Sequence, residues 1–226
     1  MKSVLTFIFF LLLSARSQAG DITGTVRAQG RAEAGDDTSG GNYESRKFKF
    51  AERVNYDELK DFVVYIEGTI PGTKPPQGAQ PIVTQKDATF KPHVLPIMVG
   101  TTVSWPNRDS IFHNVFSKST PKPFDLGLYS SSNDKDKELV FNQLGQVDVY
   151  CSIHAKMHCI ILVLENPCFA SVNEKNHYAI TNVPPGHYKI TAWHERLPNL
   201  TKEITVPENG NVKLDFLMGI VNLPKY

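Results

Sequence analysis

The chain has 226 residues, with 24 Lys and Arg against 23 Asp and Glu, a formal charge of +1. So even a balance excludes the concentrated positive field that nucleic-acid binding demands. Its 15 glycines, 15 prolines and many short runs of Val, Ile, Phe and Tyr favour an all-β protein, with room for one large domain or two small ones.

Residues 1–19 read as a signal peptide. Lys2 gives a basic start, Val4 to Leu13 is an apolar run, and Ser17-Gln18-Ala19 is a small-x-small cleavage site before Gly20. An apolar run of about ten residues is too short for a bilayer, which needs roughly twenty in a helix. Without this segment 22 basic side chains face 23 acidic ones, a net charge of −1. The expected mature chain is exported to the periplasm of a Gram-negative bacterium and carries no membrane span.

Ile22 to Val26 alternates and reads as a strand, and Gln29 to Tyr43 reads as a polar loop. Asn55 to Phe62 is the one stretch with a hint of helical period. Asp61 to Glu67 is a second strand, followed by a Pro/Gly-rich connection to Pro81. From Ile82 to Leu164 short strands alternate with turns; Val99 to Trp105 places Thr101, Val103 and Trp105 on one face. The charged run Asn133 to Glu138 reads as a solvated turn.

In Gln146 to Cys151, a period of two puts Val147, Val149 and Cys151 on one face and Asp148 and Tyr150 on the other. Asp148 prefers water, so Cys151 points inward at a strand end. Ile160 to Leu164 is apolar on both faces, as in a buried sandwich strand. His177–Val183, His187–Trp193, Leu200–Val206 and Val212–Met218 add four strands around the Pro184-Pro185-Gly186 turn. Four strands alone rarely make a sandwich, so this segment is expected to borrow partners.

The chemistry concentrates in Cys151-Ser152-Ile153-His154-Ala155-Lys156-Met157, with Phe112-His113-Asn114 38 residues upstream of the cysteine. One thiolate, two imidazoles and a thioether are the donor set of a blue-copper centre: His, Cys and His in a plane, with a weak axial Met. A zinc alternative would use Cys151, His154, His158 and Cys159, but four donors within nine residues at a strand exit crowd a tetrahedron. His93, His177, His187 and His194 read as surface or strand histidines, and Trp193-His194-Glu195 as a strand end. No second histidine set is evident, which argues against an enzyme of the nitrite-reductase kind.

With Cys151 assigned to metal, Cys159 and Cys168 remain. A disulfide between them would close a small loop and add about 2–3 kcal/mol. The alternative is two small buried hydrophobes, with hairpin geometry holding them too far apart. Both stay open.

Phe90-Lys91-Pro92, Gly100 to Val103, Asn107, His113-Asn114-Val115 and Tyr150 to Met157 together resemble the cupredoxins. The likeness is to plastocyanin- and pseudoazurin-like proteins of the secreted methylamine-utilisation type, over residues 82–166. The resemblance implies a Greek-key β-sandwich holding one type 1 copper ion on His113, Cys151, His154 and Met157. It implies that Asn114 ties the two ligand loops together, and that His154 faces a redox partner by transient docking. Tyr178 to Tyr188, with Gly24-Thr25-Val26 and Val63 to Ile66, resembles a carboxypeptidase-regulatory-type β-sandwich. The expected architecture is all-β: a cupredoxin at 82–167 inserted into a second small sandwich built from 20–81 and 168–226. The expected function is non-enzymatic electron transfer between redox proteins. The alternatives are a copper chaperone or storage protein using the same ligands, and a module in which metal merely staples loops.

Overall fold

The computed structural model describes residues 19–30, 55–71, 73, 78–132, 136–208 and 210–219. The expected signal peptide, most of the polar loop and the start of the 133–138 run lie outside them. The described chain is all-β. It opens with β1 (Gly20–Gln29) and β2 (Val63–Ile66). A central series follows: β3 (Thr84–Lys86), β4 (Thr89–Lys91), β5 (Val94–Met98), β6 (Thr101–Trp105), β7 (His113–Ser117), β8 (Phe124–Tyr129), β9 (Lys137–Phe141), β10 (Gly145–Tyr150) and β11 (His158–Leu164). The last set is β12 (Phe169–Ser171), β13 (His177–Val183), β14 (Gly186–His194), β15 (Leu197–Val206), β16 (Val212–Lys213) and β17 (Phe216–Gly219). The helical hint near Asn55 amounts to one 3-10 turn, Tyr56–Glu58, capped by the Asn55 side chain. Lys137 and Glu138, expected in a turn, open β9 because they pair with Trp105 and Ser104.

The early strands pair with the late ones. β1 runs antiparallel to β13 and parallel to β16 and β17, while β2 lies between β12 and β14. Ile22, Val26, Val64, Ile66, Ile180, Ile190, Phe216 and Met218 fill the core between these two sheets. Gly24 is where β1 meets the chain at Leu214: a Cβ there would stand 1.8 Å from the Leu214 carbonyl oxygen. That close approach explains the glycine.

The central series builds a second core. Its main sheet has the order β5-β11-β10-β7-β8, with the β6–β9 pair and the β3–β4 hairpin opposite. Val103, Trp105, Val115, Phe141, Val147, Val149 and Ile161 are buried between them. The alternation in β10 holds: Val147 and Val149 are fully buried, Asp148 is half-buried and Tyr150 is exposed.

β11 is apolar on both faces because it separates two cores. Cys159, Ile161 and Val163 face the core just described, whereas Ile160, Leu162 and Leu164 pack with Val94 against Val63 and Trp193. The sheets thus lie back to back across an apolar seam. Asn166, 3% exposed, ties the two crossings between them: its Nδ2 donates to the carbonyls of Ile66 and Gly68, and its Oδ1 accepts from Cys168 N. A buried amide that satisfies its neighbours' polar groups is worth keeping where an apolar residue would orphan them.

The disulfide does not form. Cys159 and Cys168 are both free thiols, and they sit in different cores. Burial pushes the Cys168 thiol up to about 11 and that of Cys159 well above the ordinary thiol range. Both behave as small hydrophobes.

Candidate metal centre

Cys151 directly follows β10 with its side chain inside the second core, which also holds Met157. The loop from Cys151 to Met157 closes on its own backbone: Cys151 N donates to the Met157 carbonyl at 3.2 Å, and Met157 N to the His154 carbonyl at 3.0 Å. These two bonds draw the cysteine, histidine and methionine of one short loop together. His113 arrives from elsewhere, as the first residue of β7, which pairs with β8 on one side and touches β10 at Phe116–Tyr150 on the other.

The result is a convergent donor set. His113 Nδ1 and His154 Nδ1 are 3.0 Å apart, and Cys151 Sγ is 3.6 Å from His154 Nδ1. One ligand atom from each of the three residues lies within 4.8 Å of the others. Nitrogens and sulfur at these spans can share one small ion with bonds of about 2.0 Å to nitrogen and about 2.3 Å to sulfur. Met157 is buried, 1% exposed, in the same apolar core as Cys151. His113 is fully buried, whereas His154 is partly exposed.

The buried imidazole is set by a carboxylate. His113 Nε2 donates to Asp109 Oδ2 at 2.7 Å, which leaves Nδ1 as the lone pair facing Cys151 and His154. Asp109 in turn accepts from the amides of Asp87 at 2.8 Å and Ala88 at 3.0 Å. Burial works against its charge, but these two amides and the His113 ring outweigh it and hold the carboxyl below the usual range. Asp87 and Ala88 form the tip of the β3–β4 hairpin, both at positive φ, 57° and 49°. That strained tip is held where its two amides meet the carboxylate.

Asn114 does something other than what the resemblance implied. Its Nδ2 donates to Asp125 Oδ1 at 2.6 Å, so its donor is engaged on β8 rather than on the Cys151 loop. The zinc quartet is not assembled either. His158 Nε2 turns to Asp148 Oδ1 at 3.1 Å, and Cys159 is buried with its thiol disfavoured as a thiolate.

No protein-family model and no curated protein matches the chain. Three solved structures are similar to parts of it. A copper-containing nitrite reductase from Thermus scotoductus is 28% identical over 43% of this chain and 25% of its own, at a TM-score of 0.36. A purple cupredoxin from Nitrosopumilus maritimus is 27% identical over 37% of this chain and 99% of its own, at 0.33. A Cu(I) structure of an amicyanin variant is 20% identical over 44% of this chain and 97% of its own, at 0.35. Part of the chain is similar to these copper proteins.

Two groups of residues escaped the sequence reading. Asp109 lies in an irregular turn four residues before His113, and the hairpin amides fix its carboxylate there. The absence of a second histidine set also needs correction: His93 and His158 come together with Glu195. Nothing in the spacing of residues 93, 158 and 195 signals this. His194 does follow the strand-end expectation; it is buried against Phe62, with ring centroids 4.7 Å apart, and burial pushes its pKa down.

Proposed function

We propose that this chain is an exported cupredoxin in which His113, Cys151, His154 and Met157 would hold one type 1 copper ion. Residues 82–167 would be the cupredoxin domain, set into a carboxypeptidase-regulatory-type sandwich made from 20–81 and 168–226. One observation carries the reading: ring nitrogens of two imidazoles and one thiol sulfur, from two distant segments, converge at the edge of an apolar core. A soft sulfur with borderline nitrogens suits copper in both oxidation states. Bound copper would supply the one-electron Cu(II)/Cu(I) couple.

The chain's own residues hold the site in one shape. The closed loop and the Asp109–His113 pair fix donor directions, so little rearrangement accompanies a change of charge. His154 is the exposed edge, and its surroundings are apolar: Ile111, Phe112 and Ile153 are exposed by 46%, 58% and 51%, and Leu128 opposite Asn114 by 61%. Such a patch suits brief docking of a redox protein. No helix among the described residues is long and apolar enough to cross a membrane.

The test is Cu(II) added to metal-free protein, followed by visible and electron paramagnetic resonance spectra. An intense sulfur-to-copper charge-transfer band with narrow hyperfine splitting is expected, and Cys151→Ser abolishes it. A band that survives Cys151→Ser overturns the ligand set. Rapid surrender of Cu(I) to an acceptor, without reversible cycling, would identify the ion as cargo instead.

A further inference from the structure

A second cluster of donors lies on the far side of the Met157–His158 peptide from the proposed copper ligands. His93 sits between β4 and β5, His158 opens β11, and Glu195 lies in the turn between β14 and β15. The first two belong to the central series of strands; the third comes from the other sandwich. One ring nitrogen of each histidine and a carboxylate oxygen of Glu195 all lie within 4.8 Å of one another.

The hydrogen bonds around His93 make the cluster more than a coincidence of neighbours. Its Nδ1 lies 3.2 Å from the carbonyl oxygen of His158, so Nδ1 carries a proton and donates. Its Nε2 lies 3.1 Å from Glu195 Oε1. With Nδ1 committed as a donor, Nε2 of the ring and the Glu195 carboxylate are two donors of electron pairs to any cation that comes between them. His158 is similarly prepared: its Nε2 lies 3.1 Å from Asp148 Oδ1, and its ring stacks on Tyr150 with centroids 4.7 Å apart. A carboxylate on one nitrogen of an imidazole orients the ring as a ligand.

Charge and access suit a cation. Two carboxylates, Asp148 and Glu195, converge here. The His93 and Glu195 side chains are 33% and 28% exposed, so an ion can enter from solvent.

We propose that His93, His158 and Glu195 form a second metal site for a borderline divalent ion such as Zn(II), clasping the two sandwiches at the rim of their seam. Two imidazoles and one carboxylate are a zinc ligand set that leaves coordination positions open to water, so the ion there is exchangeable. The site needs none of the copper ligands and stands apart from the copper reading.

The test uses the full mature chain carrying Cys151→Ser, so that the copper centre contributes no thiolate. Zn(II) is titrated in competition with a chromophoric chelator, and circular dichroism confirms that each variant is folded. One tight equivalent is expected. Adding His93→Gln or Glu195→Gln weakens it by about 100-fold or more, and Asp148→Asn by about tenfold, in line with outer-shell effects. His177→Gln, at an exposed position of β13, changes nothing. Zn(II) should also raise the melting temperature of the Cys151→Ser protein but not of the two ligand variants. Equal Zn(II) affinity with and without His93 or Glu195, or no tight equivalent in the Cys151→Ser chain, overturns the proposal. Neither result touches the copper assignment, whose readout is the charge-transfer band of the wild-type protein.

Discussion

Asp109→Asn tests whether a carboxylate, rather than packing alone, sets the candidate copper centre. The carboxylate accepts three bonds, from Asp87 N, Ala88 N and His113 Nε2. An asparagine of the same shape has one acceptor oxygen and one donor nitrogen. With its oxygen toward Ala88 and His113, its NH2 meets the Asp87 amide, and two donors face each other. Turned over, the NH2 meets Ala88 and forces the His113 proton onto Nδ1, into the metal site. Turning the NH2 toward Ala88 leaves a part-buried donor unmatched, while the Asp87 side is exposed and costs less; either orientation removes the charge from the remaining bonds. The expected loss is about 1–2 kcal/mol of stability in the metal-free protein, read from urea unfolding at neutral pH. Copper affinity, measured against a Cu(I) chelator, should fall by about 10–100-fold. Ala88→Gly in the same background should return about 1 kcal/mol, because glycine accepts the positive φ that alanine resists. Unchanged midpoint and unchanged copper affinity in Asp109→Asn would refute the argument.

Three further outcomes follow from the fold. Trp193→Ala removes the largest side chain in the seam; it should cost about 3–5 kcal/mol and split calorimetric unfolding into two transitions, since the seam couples the two cores. Gly24→Ala places a Cβ 1.8 Å from the Leu214 carbonyl oxygen, so β1 must part from the Leu214 segment, and amide exchange along β1 and β17 should speed up. Asp215 accepts from Thr25 N at 2.8 Å and Thr25 Oγ1 at 2.9 Å, and these bonds lower its pKa below 3.8. Its folded value lies below the unfolded one, so its contribution is complete above pH 3.8 and disappears as pH falls through the lowered value. Asp215→Asn should therefore flatten the acid limb of stability against pH; an identical limb in the variant would count against it.

The Cys151, His154 and Met157 part of the candidate copper set was legible because it obeys local rules, whereas His113 needs the fold to bring it there. Strand alternation turns Cys151 inward, and a seven-residue loop keeps His154 and Met157 near it whatever the rest of the chain does. The late strands were legible as strands, and their need for partners was legible too. The acceptor of the Asn114 amide was not, because an amide side chain has several partners within reach and only packing selects Asp125. The question of Cys159 and Cys168 also waited for three dimensions. Eight residues separate them in sequence, but a turn of the chain from one core to the other separates them in space.

The amino-acid order by itself determined which side chains face inward along each strand and which donors cluster in the 151–157 loop, because periods of two and short loops need no distant partner. Tertiary structure alone decided that β11 lies between two cores, that a strained hairpin tip grips Asp109 behind His113, and that His93, His158 and Glu195 share one corner. Each depends on segments far apart in sequence, and contacts of that kind are selected by the packing of whole sheets rather than by any local pattern.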